Sequence, residues 1–174
     1  MRLRLAGVLA AVLLAAACGG TSAGGTKSGA APAANDPAPL TFTATTLTGE
    51  RFDAAAELDG EPAVLWFWAP WCTVCRTEAP EVADVAAEFA GRVPVIGVPG
   101  RGEIAAMRRF VEDTGTGKLA HVVDGDGSIW SRFGVVTQPA FTFIDADGEI
   151  ETFQGALPAD DLRERLAALT ENEG

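Results

Sequence analysis

The stretch Ala63-Val-Leu-Trp-Phe-Trp68 is a continuous apolar run, the pattern of a central strand buried on both faces. Almost at once it gives way to Trp71-Cys72-Thr-Val-Cys75, and then to Val82, Val85, Ala86 and Phe89 at helical spacing. A buried strand that feeds a helix through a paired cysteine turn constrains both fold and chemistry. The N-terminus of a helix offers unpaired backbone N–H groups and the positive end of the dipole, and both stabilise a thiolate at Cys72. The thiolate is the species that reacts in disulfide exchange. With two residues between them, the sulfurs face each other across the first turn. Cys72 can then attack a partner disulfide while Cys75 resolves the mixed intermediate.

The remaining pattern alternates. Val93 to Val98 reads as a second buried strand, and Ile104, Met107 and Val111 mark a helix. Ala120 to Val123 reads as a short strand and Ser128 to Phe133 as a short helix. Ala140 to Ile144 and Glu149 to Phe153 flank Asp145-Ala-Asp-Gly148, the spacing of a hairpin. Leu162, Leu166 and Leu169 form the apolar stripe of a last helix. The order β-α-β-α-(βα)-β-β-α predicts an α/β fold with a central mixed sheet covered by helices on both faces. Phe42 to Phe52 predicts an extra N-terminal hairpin.

Composition sets the setting. The chain has 174 residues, enough for one domain plus terminal segments, and 48% of them are hydrophobic, so a core forms without structural disulfides. A net charge of −11 argues against nucleic-acid binding and against docking on anionic lipid. Residues 1–18 have the build of an export leader: Arg2 and Arg4, an apolar stretch from Leu5 to Ala17 too short to span a bilayer comfortably, then Cys18. Residues 19–39 are rich in Gly, Ala, Ser and Pro and read as a disordered tether with a reach on the order of 25 Å. Residues 40–174 form the folded domain.

Several motifs carry a family resemblance. Ala15-Ala-Ala-Cys18 resembles the lipobox of bacterial lipoproteins, in which the cysteine is acylated; the family's usual Leu is Ala15 here, and plain secretory cleavage after Ala17 is the alternative. Trp68-Ala-Pro-Trp-Cys-Thr-Val-Cys75 resembles the active-site segment of the thioredoxin superfamily. Pro80 matches that superfamily's proline within the active-site helix, and Gln138-Pro139 matches its cis-proline. Cys75-Arg-Thr-Glu-Ala-Pro80 is similar to the extracytoplasmic TlpA/ResA branch. Gly127 to Phe143 is still more similar to the secreted DsbE/DsbF-type proteins of actinobacteria. The resemblance implies a thioredoxin fold over about Leu40 to Leu169. It implies a redox-active Cys72–Cys75 disulfide, and a substrate peptide held by Gln138 and Pro139 with Trp71 bordering the groove. The chain departs from the pattern in two respects. Trp66 stands where thioredoxin keeps a buried acid, while Glu78 matches the active-site glutamate of the ResA-like branch, either as a proton carrier at Cys75 or as an ordinary solvated helix carboxylate. Thr73-Val74 lacks the proline common in reducing members, which leaves the direction of electron flow open.

Other readings of the cysteines weigh less. A structural zinc site wants four ligands, and only Cys18 and His121 remain to complete one. A static bridge across two residues adds little chain-entropy stabilisation. Asp124-Gly-Asp-Gly127 has part of a calcium loop but not its other ligands, and reads as a turn. The reading that results is a disulfide donor to exported proteins, recharged by a DsbB/VKOR-like membrane oxidase and needing no cofactor and no metal. The alternatives are a reductant of apocytochrome c fed by a CcdA/DsbD-like donor, and a tethered binder of a metal or haem precursor.

Overall fold

The computed structural model describes residues 40–58 and 60–171. The leader, Cys18 and the tether, residues 1–39, lie outside the described residues. Six strands and five helices follow in order: β1 (Thr43–Thr45), β2 (Arg51–Asp53), α1 (Ala54–Leu58), β3 (Ala63–Trp68), α2 (Thr73–Glu88), β4 (Val95–Pro99), α3 (Ile104–Thr114), α4 (Ser128–Arg132), β5 (Ala140–Ile144), β6 (Ile150–Gln154) and α5 (Ala159–Glu171).

The main sheet has the order β4-β3-β5-β6. The β3–β4 pair is parallel, whereas β3–β5 and β5–β6 are antiparallel, so the sheet is mixed. All six residues of β3 are buried. Alternation along the strand divides them between two cores. Val64, Trp66 and Trp68 face one core with Val82 and Val85 of α2, Met107 and Phe110 of α3, and Leu162 and Leu166 of α5. Ala63, Leu65 and Phe67 face the other, with Leu58 of α1 and Ile129 and Trp130 of α4. This two-sided burial is the fold expected from the uninterrupted apolar run. At about 2 kcal/mol per fully buried large side chain, Trp66, Phe67 and Trp68 make β3 the best-anchored element of the domain.

The expected N-terminal hairpin is present as β1 and β2. The expected strand at Ala120–Val123 is instead an extended linker bonded on both sides through isolated bridges. Gly97 N–H donates to the Ala120 carbonyl (2.9 Å) and Val122 N–H to the Gly97 carbonyl (2.8 Å), while Leu47 N–H reaches the His121 carbonyl (2.9 Å). It thereby stitches the hairpin to the free edge of β4. A side chain at Gly97 would collide with the His121 imidazole, so this close approach requires glycine. Helix α3 ends on Gly115 in the left-handed conformation (φ 73°), a common helix stop.

Candidate active site

The parallel pair β3–β4 ends at the same edge of the sheet, and the site is built there from four segments. The first is the turn into α2. Cys72 is the N-cap of that helix, and its Sγ accepts the Cys75 backbone N–H at 3.0 Å. Cys72 and Cys75 are joined as a disulfide, with Cα atoms 5.3 Å apart. Cys75 is fully buried, whereas Cys72 retains 6% exposure. An incoming sulfur can therefore reach Cys72 and not Cys75. On reduction, the same N–H and the helix dipole face the Cys72 sulfur and favour its thiolate.

The second segment precedes β5. Phe67 pairs with Ala140, which sets Pro139 level with Trp68, at the end of β3 from which Trp71 and Cys72 emerge. The Gln138–Pro139 peptide bond is cis. The Pro139 carbonyl is taken by Gly155 N–H (2.8 Å), while among the described residues the backbone N–H and C=O of Gln138 have no partner. Around the disulfide stand exposed apolar side chains: Trp71 at 60%, Val74 at 52% and Val136 at 74%. Large apolar groups exposed beside a reactive bond, next to an unpaired stretch of backbone, suit an extended peptide.

The third contribution is a buried acid. Glu78 follows Cys75 by one helical turn and so shares its face of α2. Its carboxyl is buried, Oε1 accepts the Trp66 indole N–H at 2.9 Å, and Oε2 is without a hydrogen-bond partner. Burial pushes its pKa up from 4.5 to about 7; the Trp66 N–H and the Leu157 backbone amide, which falls short of hydrogen-bond geometry, pull the other way, and Glu81 adds a little upward. Glu78 is thus not a solvated helix carboxylate. The fourth segment is Gly100-Arg101-Gly102 after β4, whose carbonyl at Arg101 accepts the Trp71 indole N–H at 2.7 Å.

The sequence singles out the cysteines, Trp71, Glu78, Gln138 and Pro139, and the fold places all of them at this edge or in the core beneath it. Sequence reasoning missed Trp66 as the partner of Glu78, although a tryptophan at a position usually held by an acid was the signal. It missed Arg101, signalled only by the two glycines flanking it. His121 is buried; its Nε2 pairs with the Thr116 carbonyl (3.0 Å), burial holds its pKa below the usual imidazole range, and its ring meets Trp68 edge-on. Asp124 and Asp126 accept from the backbone N–H groups of Trp130 and Ser128, so both serve the turn into α4.

A redox-active cysteine pair capping the helix that follows the central strand, with a cis-proline loop beside it, defines a thioredoxin-fold thiol–disulfide oxidoreductase. The chain belongs to the AhpC/TSA family, whose model matches residues 34–153. Within it the chain is of the DsbE/DsbF type. It is 45% identical over 134 residues to the soluble secreted antigen MPT53 of Mycobacterium tuberculosis, covering 75% of this chain and 76% of that protein. The structure of MTB DsbF in mixed oxidised and reduced forms superposes with a TM-score of 0.74 at 44% identity, over 77% of this chain and 98% of that one. A secreted M. tuberculosis disulfide oxidoreductase described as homologous to E. coli DsbE gives a TM-score of 0.71 at 43% identity, over 76% and 99%.

Proposed function

We propose that this protein acts outside the cytoplasm as a disulfide donor to exported proteins. The observation that carries the reading is the pairing of a half-exposed apolar rim with a disulfide of which only Cys72 is accessible. A substrate thiolate attacks Cys72 Sγ; the Cys72–Cys75 bond breaks and Cys75 leaves as a thiolate. Glu78, which keeps its proton up to about pH 7, supplies that proton to Cys75. The substrate's second thiolate then attacks the mixed disulfide and Cys72 departs as a thiolate stabilised by the helix N-terminus. Two electrons have passed to the pair, with Cys72 left as a thiolate and Cys75 holding the proton from Glu78, while the substrate's two thiol protons have gone to solvent; when a DsbB/VKOR-like membrane oxidase takes the electrons back, Cys75 returns its proton to Glu78. Gln138 pairs its free backbone groups with the substrate strand, with Pro139 and Trp71 bordering it.

The export leader supports an extracytoplasmic site of action, as does likeness to a protein described as a secreted antigen. Acylation of Cys18 would add a lipid anchor, and a Cys18→Ser chain that leaves the detergent phase would mark it. The direction is tested by equilibrating the protein against defined thiol–disulfide buffers. A potential well above roughly −200 mV supports donation; one near or below about −260 mV supports the rival role as a reductant, such as one serving apocytochrome c. A pair that never cycles would sink both and favour a binding protein.

A further inference from the structure

We infer that Arg101 is a positioning residue for protein substrates, a clasp that fixes the Gln138–Pro139 loop relative to Trp71; the inference rests on the reading that a substrate peptide lies between them. The clasp begins in the backbone. Gly100 N–H extends the β3–β4 ladder by donating to the Trp68 carbonyl at 3.0 Å. A Cβ on Gly100 would lie 2.8 Å from Trp130 Nε1, and one on Gly102 would collide with the Pro70 ring. The three-residue loop is therefore pressed between α4 and the segment that leads to Cys72, and only glycines fit its two ends.

Between them Arg101 takes φ 54°, the left-handed region, and among the described residues no other non-glycine does so. For a residue with a Cβ this conformation costs on the order of 1 kcal/mol, a cost that glycine would avoid. A strained non-glycine flanked by glycines calls for a compensating use of its side chain. The Arg101 guanidinium lies over the Trp130 ring at 4.6 Å, and donates to Gln138 Oε1 and to the Val136 carbonyl, each at 3.3 Å. Its own carbonyl holds the Trp71 indole. One residue thus joins both banks of the groove: Trp71 through the main chain, and Val136 and Gln138 through the side chain. With the Gln138 side chain occupied by Arg101, its backbone N–H and C=O stay free for a substrate strand.

The test compares a large and a small thiol on the full-length protein. Reduced, unfolded ribonuclease A must lie along the groove, whereas dithiothreitol needs only the Cys72 sulfur. Arg101→Ala and Arg101→Gly are both made, because glycine relieves the backbone strain and keeps the loop fold. Both variants should oxidise ribonuclease about tenfold more slowly, the loss expected when a bound partner is no longer held in line, with dithiothreitol rates within about twofold of the parent. Equal losses with both thiols would show a merely structural role and overturn the inference, as would an Arg101→Gly protein that retains the full ribonuclease rate. A parent protein that oxidises dithiothreitol but not ribonuclease would instead overturn the peptide-groove reading on which the clasp rests.

Discussion

Replacing Glu78 by Gln should remove a pH-dependent penalty that the buried carboxyl imposes on the fold. In the folded protein Glu78 holds its proton up to about pH 7, whereas in the unfolded chain it releases it near 4.5. Between these values the native state binds more protons than the unfolded one, so stability falls as pH rises. The penalty is absent below pH 4.5 and complete above about 7. At about 1.4 kcal/mol for each pH unit crossed, the whole penalty is about 3 kcal/mol, or on the order of 10 °C in Tm for a domain of this size. Gln keeps an acceptor for the Trp66 N–H and carries no charge, but sets an amide where Oε2 lies unpaired, so the variant can show a constant offset. The difference between the two proteins is what matters, because other carboxylates destabilise both alike in acid. The assay is thermal or urea unfolding of the oxidised form from pH 4.5 to 8.5. The Glu78→Gln protein should gain on the parent by about 3 kcal/mol across that range. Parallel curves would refute the raised pKa and, with it, Glu78 as a proton store at neutral pH.

Three further outcomes are expected. Cys75→Ser should accumulate mixed disulfides with substrate proteins through Cys72, visible on non-reducing gels, whereas Cys72→Ser should trap none because Cys75 is buried. Trp66→Phe removes the one donor on Glu78 Oε1, so the midpoint of the pH-dependent stability should move upward from about 7; a downward move would contradict the assignment of that N–H as a stabiliser of the carboxylate. Gly102→Ala drives a methyl group into Pro70 and should cost about 1–3 kcal/mol of stability, read from the urea midpoint.

The parts of the fold that were legible in the sequence are those with strong periodicity. The run from Ala63 to Trp68 could only be satisfied by burial on both faces, and the Asp145–Gly148 turn between apolar segments could only be a hairpin. The short helix α1 was not legible, because Ala54-Ala-Ala-Glu-Leu58 spans little more than one turn and has no room for a period to develop. Residues 120–123 read as a strand because their apolar content is that of a strand; their bonds alternate between β4 and the end of β1 with the residues just after it, which no local pattern reveals. At the site, the cysteines and Pro139 were legible because their chemistry is tied to fixed spacing. The burial of Glu78 was not, since on a helix wheel it resembles any other charged residue until the packing of α2 on β3 and the segment before α5 is known.

The Trp66–Glu78 pair accounts for one departure from the thioredoxin pattern, the acid missing from the strand, as a single arrangement. Where thioredoxin carries its buried acid on the strand, this chain carries an indole, and the acid returns from the helix one turn beyond Cys75. The indole nitrogen can only donate, so its bond to Oε1 persists whether Glu78 is charged or neutral, and the exchangeable proton is left to Oε2, the oxygen without a partner. Burial alone would drive the carboxyl far up and leave it permanently neutral; an exposed carboxyl near 4.5 would be permanently ionised. Neither could play the part proposed for Glu78, giving a proton to the departing Cys75 thiolate and taking it back when the pair is reoxidised. The donor-only contact from Trp66 lowers what burial raises, and the balance near 7 is where a proton carrier works in both directions.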